Sequence, residues 1–340
     1  MELLMREVSA TRLRRREMVM VLGAALVQSS TGFAQVTDRI PRVGLLFGLP
    51  EGDPDGQARL ATFHQRLHQL GWTEGRNIHV EVGWGGGEAG RIRALAKEIV
   101  ERQPDIVIGH ATVAVEAFLQ LTQTIPIIFV AVSDPVGSRF IPNERDPGVN
   151  ITGVKSFDEN LGRKWLEALK EIAPATKRVG CLFNPDTTSP DGVFMRAVEA
   201  AARSFAVEIL AAPARSINEI KTALATLGRG PNGLVVIPEP FTATNRDLII
   251  ASAAASRVPA VYPNRFFAKR GGLISYGIDQ ADLLRAAAEY ADRILRGAGP
   301  NQLAIQGPTK FELAINLATA KTLGLTIPSS LQARADEVIE

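Results

Sequence analysis

From Pro41 onward, short apolar runs alternate with stretches whose apolar positions recur every three or four residues. The first pattern predicts strands and the second amphipathic helices. Arg42–Phe47 (RVGLLF) predicts a strand ended by Gly48-Leu49-Pro50. Residues 55–70 predict a helix, with Leu60, Phe63, Leu67 and Leu70 on one stripe and Gly71 as its stop. Then follow strand 77–82, helix 89–102, strand 105–108, helix 112–122, strand 126–130 and, after a long loop with Pro142 and Pro147, strand 150–154. The cycle restarts with helix 158–172, strand 178–183, helix 191–204, strand 207–211, helix 217–227, strand 234–237, helix 244–256 and strands 259–262 and 273–276. Helix 281–296 and a strand-helix pair at 311–323 complete it. Continuous apolar strands alternating with helices predict parallel sheets covered on both faces. The expected fold class is α/β, with two doubly wound parallel-sheet lobes.

In such sheets ligands sit beyond the carboxyl ends of the strands. The loops there bring forward Phe47, Gly48, His110, Ala111, Thr112, Ser133 and Asp134 in the first series, and Asn184, Glu239, Tyr262, Tyr276 and Asp279 in the second. This set suits a small zwitterion. A helix start at Ala111-Thr112 offers free amides and a positive dipole end to a carboxylate. Asp134, Glu239 or Asp279 could accept from an ammonium group. Phe47, Phe183, Tyr262 and Tyr276 could form an apolar wall. Singly, each has an ordinary alternative: Thr112 and Asp279 as helix caps, the aromatics as core. The clustering at strand ends carries the expectation.

The 340 residues carry 38 Lys+Arg against 36 Asp+Glu, and the pI of about 8.8 raises the question of a nucleic-acid partner. The position of the charge answers it. A basic start (Arg12, Arg14, Arg15, Arg16), a ten-residue apolar run over 18–27 and small residues at Gly32 and Ala34 form the pattern of a secretory signal peptide, residues 1–34. The run is too short to span a bilayer, which takes about 20 residues. Arg15-Arg16-Glu17-Met18-Val19 also resembles a twin-arginine export signal. Without the leader, 33 basic and 33 acidic groups balance, so no nucleic-acid footprint is expected. One cysteine excludes an intramolecular disulfide and a four-thiolate metal site.

Several motifs look familiar together. Residues 70–78 (LGWTEGRNI), 133–137 (SDPVG), 150–153 (NITG), 308–313 (PTKFEL), 320–328 (AKTLGLTIP) and 335–339 (ADEVI) resemble, in order, segments of the ABC-transporter substrate-binding proteins whose better-known members handle tryptophan or tyrosine. The resemblance runs over about residues 41–340. It implies the type I periplasmic-binding fold, with lobes 35–155 plus 280–306 and 156–279 plus 307–340 joined by three crossovers near 153–156, 277–280 and 306–309. His110 stands where the family usually has a small polar residue or glycine.

The expectation is therefore an exported, periplasmic, monomeric solute-binding protein of an ABC importer, not an enzyme. It binds an amino acid, aromatic and branched ones included, or a related carboxylate, uses no cofactor or metal, and has an inner-membrane permease as partner. A periplasmic ligand sensor for a membrane receptor shares the fold. An NAD-dependent enzyme is the remote rival. Gly85-Gly86-Gly87-Glu88-Ala89-Gly90 matches G-x-G-x-x-G but follows the second strand of the series, and Asp105 begins the next strand where a ribose-binding acid should end it. No G-x-S-x-G elbow is present. His64 and His68 have H-E-x-x-H spacing, but Gln65 replaces the glutamate.

Overall fold

In the computed structural model, which describes residues 39–144 and 150–340, the first series folds around one parallel sheet. The leader 1–34, with the export signals read in it, lies outside the described residues. The elements are β1 (Arg42–Phe47), α1 (Pro54–Gln69), β2 (His79–Trp84), α2 (Ala89–Glu101), β3 (Ile106–His110), α3 (Thr112–Leu121), β4 (Ile127–Val132) and β5 (Ile151–Lys155), and the strand order is β2-β1-β3-β4-β5. The sequence dictates this locally. All five residues of β3 are buried, as a strand covered on both faces requires. Helix α1 starts where Asp53 Oδ1 accepts from the amides of Asp55 (3.0 Å) and Gly56 (2.8 Å), with Pro54 in its first turn.

The second series adds α4 (Leu161–Ile172), β6 (Arg178–Phe183), α5 (Val193–Ala202), β7 (Glu208–Pro213), α6 (Ile217–Leu227), β8 (Asn232–Val236), α7 (Pro240–Thr244), α8 (Arg246–Ala255), β9 (Ala260–Tyr262), α9 (Arg265–Lys269) and β10 (Ile274–Ile278). After α10 (Gln280–Leu295) come β11 (Phe311–Asn316), α11 (Leu317–Leu323), α12 (Ser329–Gln332) and β12 (Glu337–Ile339). The seven strands run β12-β11-β10-β9-β8-β6-β7.

Three features depart from the sequence expectation. Strand β11 is antiparallel to β10, with Ile278 opposite Phe311 and Ile274 opposite Ile315. The chain enters it beside the carboxyl end of β10, so it can only run back down the sheet. The helix expected over 244–256 forms as α8 (Arg246–Ala255), but a separate short helix that is not expected precedes it. Glu239 accepts from the amides of Phe241 and Thr242 and, with Pro240 behind it, starts the separate five-residue α7. Helix α9 and strand β12 are too short for periodicity to reveal.

The chain passes between the sheets three times. It leaves β5 for α4, which packs on β9 and β10. It leaves β10 through Asp279 for α10, which packs on α1 and on β3, β4 and β5. After Gln306 bridges Val154 beside β5, residues 307–310 lead to β11. The shared motifs act as joints here. Trp72 Nε1 donates to Asp292 Oδ1 (2.8 Å), tying the end of α1 to α10. Lys310 Nζ donates to Asp279 Oδ2 (2.7 Å), strapping two of the crossings together. Asp336 Oδ2 accepts from the Leu313 amide (2.8 Å), setting β12 on β11.

Candidate functional site

A cavity of about 600 Å³, counted out to its open mouth, lies beyond the carboxyl ends of strands from both sheets. Leu49, His110, Ala111 and Ala131 face it from the first sheet, and Pro238, Glu239, Pro240 and Pro263 from the second. Leu161, Trp165 and Ile278 supply much of its apolar surface. Ser156, Asn264 and Gln280 add uncharged polar groups, and α1 contributes Arg59. Few polar groups on a mostly apolar wall is the usual make-up of a small-molecule site.

Arg59 dominates the electrostatics. It is 6% exposed. Burial lowers its pKa to about 10, so it remains cationic. Its Nη1 lies 3.4 Å from His110 Nε2, and its guanidinium stands over the Phe266 ring at 5.6 Å. Among the described residues no carboxylate oxygen comes within 4.0 Å of it. Asp53 and Asp55 pair instead with Arg246. Burial, and then the neighbouring Arg59 charge, lower the His110 pKa to about 3, so its ring is neutral. With Nε2 facing an obligate donor, Nε2 is the acceptor and Nδ1 carries the hydrogen. Nδ1 makes no hydrogen bond within 3.5 Å among the described residues, and the Gln280 side chain is the polar group beside the ring.

The wall beside this pair is strained. Ala111, at the junction of β3 and α3, has φ 77° and ψ 158°, and Ala131 has φ 58°. Such conformations cost about 1–3 kcal/mol each and gather at functional sites. Ala131 is the extra residue of a bulge between β4 and β5, where pairing jumps from Val130 to Val132, and this turns it toward the cavity.

The structure brings His110, Ala111 and Glu239 together on the cavity wall. It places the other sequence-predicted residues elsewhere. Phe47 is buried behind the wall, stacked on Trp84 (4.7 Å) and tilted against His110 (5.2 Å). Gly48 is a point of approach: a Cβ there would stand 2.6 Å from Pro240 Cγ. Thr112 opens α3 and Ser133 follows β4, both half-buried beside the cavity. Asp134 Oδ1 accepts from the Gly137 amide (2.7 Å) and its Oδ2 pairs with Arg196 (3.4 Å). Asn184 turns its side-chain oxygen to the Asp186 amide (2.9 Å). Tyr262 and Phe183 are core, the former stacked on Phe267 (5.0 Å). Tyr276 stacks on Phe311 (6.0 Å), and its carbonyl accepts from Trp165 Nε1 (2.7 Å). Asp279 caps α10 through the amides of Ala281 and Asp282 and holds Lys310; it borders a neighbouring recess.

Glu239 is raised to about 7 by burial, against the pull of its donors. Those are the Thr187 hydroxyl (2.6 Å) and the amides of Phe241 (2.9 Å), Thr242 (2.9 Å) and Asn184. The sequence did not point to Arg59, Trp165, Asn264 or Gln280. Arg59 had a signal: four residues before Phe63 and eight before Leu67, it is a charge on the apolar stripe of α1.

The glycine-rich segment after β2 meets the second sheet's helices. A Cβ on Gly87 would lie 3.1 Å from Thr244 Oγ1 and 3.4 Å from Phe241 Cα. Nearby, Asp53 Oδ2 and Arg246 Nη1 form a buried ion pair between the α1 cap and α8. Among the described residues no group of three or more His, Cys, Asp or Glu side chains is placed to hold a metal ion, and no helix is long and apolar enough to cross a membrane.

Two open α/β sheets with a three-fold chain crossing and a cavity at their strand ends define the type I periplasmic-binding class of fold. A conserved domain protein from Vibrio cholerae O1 biovar El Tor aligns with a TM-score of 0.81 at 25% identity, over 88% of this chain and 100% of that one. The ABC domain from Streptococcus pneumonia in complex with L-Trp aligns with a TM-score of 0.79 at 24% identity, over 88% and 100%. A tyrosine-binding protein of Clostridioides difficile is 22% identical over 263 residues, 77% of this chain and 75% of that one. The family described as ABC transporter substrate binding protein matches residues 54–339, and the chain belongs to it. Its relatives are solute-binding proteins, not enzymes.

Proposed function

We propose that this chain is the exported solute-binding component of an ABC importer, and that the cavity takes an amino acid or a related small carboxylate. One observation carries the reading: a buried, cationic Arg59 faces the cavity with no carboxylate partner among the described residues. A guanidinium offers five donors in a fork that fits a carboxylate, and leaving it unmatched is costly. The tryptophan-bound and tyrosine-binding relatives support a carboxylate-bearing solute. In this reading the lobes are 35–155 plus 280–306 and 156–279 plus 307–340. They close about the three crossings, with Gly48 and Gly87 admitting the opposite wall. The 1–34 leader directs export to the periplasm, where the closed monomer meets an inner-membrane permease.

A thermal-shift screen of residues 35–340 against amino acids and small carboxylates tests the proposal. A bound solute at 100 times its Kd stabilises by about 2.7 kcal/mol and raises the melting temperature. A screen in which only solutes lacking a carboxylate raise it would remove the carboxylate reading.

A further inference from the structure

The polar groups of the cavity are unequally committed. An amino acid brings a carboxylate and an ammonium, and each needs a partner once water is excluded. The carboxylate has Arg59. The ammonium needs an acceptor, best an anionic one, and the three carboxylates at the strand ends are already in use. Glu239 alone lines the cavity, and its two oxygens accept from the Thr187 hydroxyl and the amides of Phe241, Thr242 and Asn184. A carboxylate has about four lone-pair sites, so this one is full. Asp279 accepts from two amides and holds Lys310 and Arg285, and Asp134 accepts from the Gly137 amide and holds Arg196. Asp55 lies in the recess on the far side of Arg59 and faces Arg246 at 3.7 Å.

The uncharged groups supply no anionic acceptor: the Ser156 hydroxyl, the Gln280 side-chain oxygen and the second lone pair of Asn264 Oδ1 are neutral and leave an ammonium charge unmatched. His110 Nε2 faces Arg59 and its Nδ1 carries a hydrogen, so the ring has no free lone pair. Asn264 Oδ1 already accepts from Gln280 Nε2 (3.2 Å). The rest of the wall is largely apolar, with Trp165, Leu161 and the prolines prominent.

We infer that the solute is an apolar carboxylic acid without an ammonium group: an arylalkanoate, a branched alkanoate, or the 2-oxo counterpart of an apolar amino acid. This rests on the reading of the cavity as a carboxylate site and narrows it. Arg59 takes the carboxylate, and the body lies against Trp165 and Leu161 where no acceptor is demanded.

The test is isothermal titration of residues 35–340 with matched pairs: 3-phenylpropionate and L-phenylalanine, 3-(indol-3-yl)propionate and L-tryptophan, 4-methylpentanoate and L-leucine. The amine-free acid should bind at least about tenfold tighter in every pair that binds. An amino acid that binds within about tenfold of its amine-free partner, or tighter, overturns the inference and leaves the carboxylate reading standing. If neither member of any pair binds while the corresponding amines 2-phenylethylamine or tryptamine do, or if nothing in the set binds, the carboxylate reading falls and the inference with it.

Discussion

Replacing Arg246 with methionine removes one half of an ion pair whose side chains are 5% and 3% exposed. Asp53 then keeps a buried negative charge. Breaking such a pair from one side costs about 3–5 kcal/mol. The lower end applies here, because Asp53 Oδ1 retains the amides of Asp55 and Gly56 as donors. The reverse change, Asp53→Asn, removes the charge and keeps a good helix cap. It should cost about 1–3 kcal/mol, the range for losing a hydrogen bond to a charged group. Arg246 would still face Asp55, the Ala243 carbonyl (2.8 Å) and the Phe266 ring (5.2 Å). In the double variant neither charge is stranded, so the cost should fall short of the two single costs added by about 1–2 kcal/mol. Urea unfolding followed by tryptophan fluorescence, with Trp165 as the buried reporter, reads all four proteins. Costs that add within about 0.5 kcal/mol would refute the idea that this pair couples α1 to α8.

Gly48→Val places carbon against Pro240 where 2.6 Å is available and about 3.5 Å is needed. Solute affinity should fall more than tenfold, while the melting temperature without solute moves by only a few degrees. Ala111→Gly relieves φ 77° at the cavity wall and should raise stability by about 1 kcal/mol in the same urea assay. His110 has its pKa lowered from 6.5 to about 3, so below pH 6.5 the unfolded chain takes up a proton that the native ring refuses. Relative to His110→Gln, the native protein should lose about 1.4 kcal/mol per pH unit as pH falls from 6.5 toward 3. Glu239 acts with the opposite sign. Its carboxyl is raised from 4.5 to about 7, so its contribution to stability declines as pH rises through that window. The His110→Gln variant should therefore show a net gain in stability as pH is lowered from 7 to 4.5.

The alternation of strand and helix was readable because each step is a run of buried positions: the five residues of β3, or the Phe63 and Leu67 stripe of α1. The reversal of β11 was not. Its direction is decided by where residues 307–310 re-enter the second sheet, a tertiary fact that leaves no periodicity behind. The site divided in the same way. His110 ends β3, Ala111 follows it and Glu239 lies in the loop just after β8, so topology alone carried them to the cavity. Tyr262 ends β9 yet turns into the core, and Tyr276, expected to end its strand, sits in the middle of β10 and stacks on Phe311, because which way a strand's side chain points depends on register. Asp279 and Asp134 lie at the expected loops, but their oxygens are taken by backbone amides and basic side chains. Arg59 and Gln280 come from helices and escape any search confined to strand ends.

The most direct measurement is a diffraction structure of residues 35–340 with the tightest-binding acid of the screen. Its carboxylate should lie within about 3.2 Å of the Arg59 guanidinium nitrogens, an ordinary hydrogen-bond distance, with its apolar body against Trp165. A solute bound with Arg59 unengaged, or held outside this cavity altogether, would contradict that placement.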